Sequence, residues 1–321
     1  EEQAYELADQ PFNLASPKQL GEILFEKRYT NPNKTYETWF GGLKSNQIGE
    51  LITFGHSIDT MRYGLLIGGK RMRPYLAHIT AETLNVESCD ANAIGAAIEC
   101  IHAYSLLHDD LPAMDDDDLR RGQPTCHKAF DEATAILAGD SLQTLAFDIL
   151  ANHTFSAYGQ TKQVKLIQQL ANAAGYQGMC GGQAIDLAST DKDISLAELE
   201  KLHTLKTGAL LEACVLMVAE CAEQVTNNDK KQLAIFAQSV GLAYQVRDDI
   251  IDITSTEEEL GKPSGSDVAA NKSTYPALLG LQGAQEKAEQ LYQQALQALA
   301  LLPYNTQSLS LFATFIIKRT S

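Results

Sequence analysis

Apolar residues recur at three- and four-residue spacings through nearly all of residues 46–321, as in Ile94, Ile98 and Ile101. Runs of alternating β-branched residues are scarce. A strand turns every second side chain to one face and a helix every third or fourth, so this period predicts an all-α fold. Helices are expected over residues 46–66, 71–85, 90–110, 132–152, 160–179, 195–222, 228–253, 273–281, 284–300 and 307–319. Gly68-Gly69, Pro112, Gly122-Gln123-Pro124, Gly181-Gly182 and the stretch from Gly261 to Gly265 punctuate them. No Pro- or Ser-rich linker and no fixed-period repeat divides residues 46–321, so a single helical domain is expected there. With 45% hydrophobic residues the chain can bury a substantial core. Residues 1–45 form an atypical N-terminal segment with Pro11, Pro17 and Pro32, where Ser16-Pro17 could begin one short helix.

The formal net charge of −16 argues against a broad grip on nucleic acid or anionic lipid, both of which need clustered Lys and Arg. A small anionic substrate remains compatible if metal ions intervene. The six cysteines show no paired metal spacing and no disulfide-scaffold density, so reduced thiols in a cytoplasmic protein are expected. No apolar run is read as long enough for stable membrane insertion, and no targeting pattern opens the chain.

Against this background two acidic clusters stand out. LLHDDLPAMDDDDLRRG sets Asp109, Asp110 and Asp115 to Asp118 at the end of an apolar helix whose Ile94, Ile98, Ile101 and Leu106 look inward. Acid runs are commonly solvated surface. Here Pro112 breaks the helix, so Asp109 and Asp115 can converge although six residues apart, and hard oxygen ligands so held suit Mg²⁺. YQVRDDIIDI sets Asp248 and Asp252 one helical turn apart with Asp249 between them, among isoleucines that a purely solvated helix would not carry.

Carboxylates repel a diphosphate, so such a ligand requires cations as well as metal. GGKRMRP offers Lys70, Arg71 and Arg73; LRRG adds Arg120 and Arg121; KTGAL adds Lys206 and Thr207; GKPSGSDVAANKSTYP adds Lys262 and Lys272. Arginine suits bidentate oxygen recognition and lysine supplies a mobile point charge. Each alone reads as surface charge; together they fit two diphosphates, one bridged to aspartates by metal and one held by cations.

In this order GGKRMRP, ECIHAYSLLHDDLPAMDDDDLRRGQPTCH, GMCGGQAIDL, KTGALL, YQVRDDIIDI and GKPSGSDVAANKSTYPALLGL resemble the trans-isoprenyl diphosphate synthases, or polyprenyl synthetases, of the bacterial farnesyl type. The resemblance runs from Met61 to Arg319. It implies a bundle of mostly antiparallel helices around a deep central cavity, the isoprenoid synthase type, in a homodimer. It also implies three Mg²⁺ ions, two on Asp109 and Asp115 and one on Asp248, with Asp110, Asp249 and Asp252 in support. Arg120, Lys206, Thr207, Gln245 and Lys262 match positions that contact the allylic diphosphate; Lys70, Arg73, His102 and Arg121 match those that hold isopentenyl diphosphate. Asp109, Asp115, Asp248, Arg120, Lys206 and Lys262 are the expected catalytic set. The implied reaction is Mg²⁺-dependent head-to-tail condensation of dimethylallyl or geranyl diphosphate with isopentenyl diphosphate, giving mainly farnesyl diphosphate.

Tyr104 and Ser105, one turn before Asp109, are expected to limit product length, with Tyr104 as the pocket floor; an ordinary core tyrosine is the alternative. Gln183 and Asp186 either line the cavity and support the basic residues or simply pack. Lys318 and Arg319 either close over the diphosphates or form a frayed basic tail. Geranylgeranyl diphosphate synthesis, terpene cyclisation and a silent partner subunit are the competing readings. Residues 1–30 separately resemble a short piece of the family A DNA polymerases, on the string FNLASPKQLGEILFEK, without any polymerase catalytic motif.

Overall fold

The computed structural model describes residues 55–66, 69–254 and 273–319. The N-terminal segment, the first part of the helix expected at 46–66, and Lys262 and Lys272 lie outside them.

In chain order the helices are α1 (Gly55–Leu66), α2 (Met72–Leu84), α3 (Ser88–Asp109), α4 (Cys126–Ala129), α5 (Glu132–Asn152), α6 (Ala157–Gln160), α7 (Gln163–Ala174), α8 (Met179–Ser189), α9 (Leu196–His203), α10 (Ala209–Glu220), α11 (Asn227–Thr254), α12 (Tyr275–Ala300) and α13 (Gln307–Lys318). A π-helical turn, Thr204–Gly208, joins α9 to α10. A small antiparallel hairpin, β1 (Leu119–Arg120) and β2 (Gln123–Pro124), follows the first acidic cluster, pairing Leu119 with Pro124 and Arg120 with Gln123.

The all-α expectation is met, and the apolar period does the work it implied. On α3 the fully buried Ile94, Ile98 and Ile101 face the interior, and α3 packs against α2, α5 and α10. The 28-residue α11 lies along α12 and also meets α10, α13 and the π turn. At about 1.5 Å per residue it spans roughly 40 Å. Capping holds several starts: the Asp131 side chain accepts from Thr134 N–H to open α5, and Ser195 with Glu198 forms a reciprocal capping box on α9.

Three expectations are corrected. Gly181-Gly182 does not interrupt the chain but lies within α8, a helix the sequence reading does not include; the expected 160–179 helix stops at Ala174. Glycine serves there for contact: a Cβ on Gly182 would stand 2.2 Å from the Lys206 nitrogen, so only glycine lets α8 meet the π turn. The expected 195–222 helix carries that π turn within it. The break expected between helices 273–281 and 284–300, by contrast, is present: two helices meet within α12 across non-helical backbone at Gly280 (φ 73°, ψ 162°). Finally, Leu196–Glu220 is long and apolar enough by length and composition to cross a membrane. Its Leu210, Leu211, Cys214, Val215, Met217 and Val218 are buried in the bundle core, as befits a central helix.

Candidate active site

Both acidic motifs sit toward the C-terminal ends of long helices, α3 and α11, where the helix dipole adds negative potential to carboxylates. Asp109 closes α3; the chain then turns through Pro112, and Asp115 N–H returns to donate to the Asp109 carbonyl at 2.9 Å. That single backbone bond brings the two expected metal ligands together. Burial, with Asp115 and Asp110 nearby, pushes the Asp109 carboxyl up to about 6 against the opposing pull of Lys206 and Arg120.

Those two cations are committed elsewhere. Arg120 grips Asp110 with its Nε at 2.7 and 2.8 Å from the two carboxylate oxygens, and its Nη2 also donates to Asp110. Lys206, on the π turn, donates to Asp186 of α8 at 2.6 Å. Asp186 therefore supports a basic residue, one of its two sequence-level alternatives. Asp110 likewise fastens an arginine. Asp109 and the exposed Asp115 are left with less positive charge than their own, and a divalent cation coordinated by hard oxygens fits that deficit.

On α11, Thr207 Oγ1 donates to Gln245 Oε1 at 3.0 Å, joining two residues predicted to share one ligand. Asp249 is buried and accepts from the Tyr275 N–H at 2.9 Å, anchoring the start of α12. Asp252 is buried as well. Asp248 pairs with Arg319, whose side chain is 1% exposed, also donates to the Tyr244 carbonyl at 3.0 Å, and stacks 3.8 Å over the Tyr244 ring. Arg319 is thus no frayed tail, whereas Lys318 is exposed. Arg247 Nε holds this end in place by donating to the Arg319 carbonyl at 2.9 Å. The sequence reading gave Arg247 no role, although its place beside Asp248 in YQVRDD was visible.

A cationic group faces the acids. His102 lies among Arg73, Arg121, Arg71 and Arg120, and burial together with these charges holds its imidazole well below the usual histidine range, hence neutral. Arg71 belongs to the framework: its left-handed backbone (φ 47°) turns the guanidinium onto Glu99 and the Leu65 carbonyl, each at 2.5 Å. Arg73 Nε is buried without a hydrogen-bond partner among the described residues. Desolvation, with Arg319 nearby and Asp248 opposing, lowers Lys70 to about 8. The buried amide nitrogen and oxygen of Gln183 likewise have no hydrogen-bond partner among the described residues. Desolvated cations and open amide groups beside a carboxylate pair form a site prepared for an anion and a metal together.

Tyr104 is buried on α3, edge-on to His108 at 5.7 Å, with its hydroxyl 3.2 Å from Cys180 Sγ of α8. Ser105 Oγ donates to the His102 carbonyl at 2.9 Å and so braces the helix.

The polyprenyl synthetase family model matches residues 57–302. This chain belongs to the polyprenyl synthetase family. Its relatives include the farnesyl diphosphate synthases of Haemophilus influenzae, 50% identical over 91% of this chain and 96% of that protein, and of Escherichia coli, 49% identical over 82% and 89%. Among solved structures this synthetase resembles a geranyltransferase from Helicobacter pylori complexed with magnesium and isoprenyl diphosphate, with TM-score 0.69 and 35% identity, over 80% of this chain and 84% of that one.

Proposed function

We propose that this polyprenyl synthetase is a farnesyl diphosphate synthase, a prenyltransferase that joins dimethylallyl and then geranyl diphosphate head-to-tail with isopentenyl diphosphate. The observation that carries the reading is the pairing of an under-compensated carboxylate couple, Asp109 and Asp115, with the cations Arg73 and Arg121 around neutral His102 and Lys70 near Asp248. Relatives at 44–50% identity that are farnesyl diphosphate synthases support the chemistry.

In this reading Asp109, Asp115 and Asp248 hold three Mg²⁺ ions with the allylic diphosphate. When bound, Mg²⁺ supplies Lewis-acid neutralisation of the leaving diphosphate. Lys206, kept in place by Asp186, and Arg120, kept by Asp110, face the same charge as it develops. Thr207, Gln245 and Lys262 complete the allylic contacts. The allylic C–O bond breaks, the isopentenyl double bond supplies the electron pair for the new C–C bond, and the lost proton passes to the released diphosphate. Lys70, Arg73, His102 and Arg121 hold isopentenyl diphosphate, and the apolar walls of α3 and α5 exclude the water that would trap the cation.

Tyr104 is the floor against which the growing chain stops. Two further parts of the reading concern the whole protein. All six cysteines are free, which supports a reducing, cytoplasmic setting. Ile136 and Leu137, exposed on α5, support assembly as a homodimer.

A second reading, geranylgeranyl diphosphate synthesis, is favoured by a pepper chloroplast enzyme of that name, 45% identical over 75% of this chain but only 65% of that protein. Incubation with dimethylallyl and isopentenyl diphosphates, with and without Mg²⁺, followed by product sizing, distinguishes them. The expected outcome is Mg²⁺-dependent farnesyl diphosphate, with longer products from Tyr104→Ala. Geranylgeranyl diphosphate from the wild type favours the second reading. No diphosphate release overturns both, and unchanged products from Tyr104→Ala remove Tyr104 as the floor.

A further inference from the structure

At the opposite end of α3 from the aspartates lies a second set of metal-type ligands. Cys89 Sγ, an Asp90 carboxylate oxygen and a His153 ring nitrogen all fall within 4.8 Å of one another. They come from the first turn of α3 and from the loop after α5, where Cys89 Sγ also lies 3.5 Å from Asp90 Oδ1. Asp90 has no exposed surface, and its carboxylate is held in one orientation by Ser156, whose N–H donates to Oδ1 at 2.7 Å and whose hydroxyl donates to Oδ2 at 2.6 Å. The turn carrying Ser156 closes this tightly because residue 159 is glycine; a Cβ there would stand 2.5 Å from Asp90 Oδ2. The His153 ring is set edge-on to Phe155 at 4.6 Å, and its Nε2 is buried without a hydrogen-bond partner among the described residues.

We propose that Cys89, Asp90 and His153 bind a thiophilic divalent cation, Zn²⁺ by ligand type, with solvent completing its coordination, and that this ion ties the start of α3 to the loop after α5. A thiol, an imidazole and a carboxylate are all ligand types that zinc accepts, with water in the fourth position, whereas Mg²⁺ takes all-oxygen shells. The Ser156 bonds to Asp90 are the outer support that orients a metal-bound carboxylate. Burial, with Asp90 nearby, pushes the Cys89 thiol up, so binding releases its proton to solvent as the thiolate forms. The 22 residues of α3 separate this cluster from Asp109 by roughly 30 Å, which makes the site a structural clamp with no part in prenyl transfer.

The test uses the full chain, reduced with a phosphine and holding Mg²⁺ in excess to occupy the aspartates. Titration with Co²⁺ should produce a thiolate-to-cobalt charge-transfer band that saturates, and added Zn²⁺ should abolish it by displacement. Cys89→Ser and His153→Ala should each weaken or shift the band while leaving prenyl transfer unchanged. In the wild type, Zn²⁺ should also slow alkylation of Cys89, a measurement that needs no variant. Co²⁺ uptake without a charge-transfer band, a band undiminished in Cys89→Ser, or alkylation indifferent to Zn²⁺ would each overturn the proposal.

Discussion

Individual side chains at the acidic end act in pairs, and the pairs differ in what they leave over. Asp110 with Arg120 and Asp186 with Lys206 are satisfied, so their role is to hold cations at fixed positions. Asp109 and Asp115 have no comparable ion pair among the described residues, which suits the metal-holding role proposed for them. This separates the outcome of two substitutions. Lys206→Ala removes a charge facing the leaving diphosphate and should lower kcat by about 10²-fold or more, the scale for losing one preorganised electrostatic group. Asp186→Asn leaves the ammonium present but less firmly held, and should cost distinctly less in kcat. Steady-state kinetics on both variants checks this ordering; equal losses would mean that Asp186 acts on substrate directly.

Among the elements, the π turn at Thr204–Gly208 matters most for the site. A strictly α-helical junction between α9 and α10 would rotate the residues after it, whereas the wider turn sets Lys206 toward Asp186 and Thr207 toward Gln245. The turn depends on close contact with α8 at Gly182. Gly182→Ala inserts a methyl group against the Lys206 backbone and should destabilise the protein by about 1–3 kcal/mol, as overpacking does. Because the displaced element is the one that bears Lys206, activity should fall in the same variant even at temperatures where it remains folded. Denaturant titration and an assay on one sample test both halves of that expectation. Asp249 plays a comparable part at the other end, fastening α12 through Tyr275. Its place beside Asp248 in the motif suggested metal support, but the backbone bond gives it an anchoring role as well.

Across the whole molecule, buried histidines link folding to pH. Burial lowers His78 from the usual 6.5 to about 4, and burial likewise lowers His203 to about 4. In each case the unfolded chain takes up a proton before the folded one does. The stability these residues contribute is therefore complete above about pH 6.5 and is lost as pH falls toward 4. For His78, which is 8% exposed, the difference between 6.5 and about 4 corresponds to about 3 kcal/mol. Thermal denaturation across that range should show Tm falling with acidification, and His78→Gln should flatten the fall. A His78→Gln protein with an unchanged pH slope would refute this assignment.

The sequence alone determined the helical class, from a period that only helices satisfy. It also brought out the two aspartate clusters and their basic companions, because so much charge beside apolar helix ends demands a chemical reason. Contacts between residues distant in the chain were a different matter. That Gly181-Gly182 is an interhelical contact within a helix depends on where Lys206 comes to lie. Arg71 and Arg73 stand two residues apart in one motif, yet a left-handed backbone turns Arg71 onto Glu99 while Arg73 keeps a buried nitrogen with no partner among the described residues. Arg319 reaches Asp248 across 71 residues, and Cys89 and His153 meet only because the start of α3 and the end of α5 converge. Periodicity and local charge are written along the chain, whereas the partner of a given charge is set by packing, and packing forms only when distant segments meet.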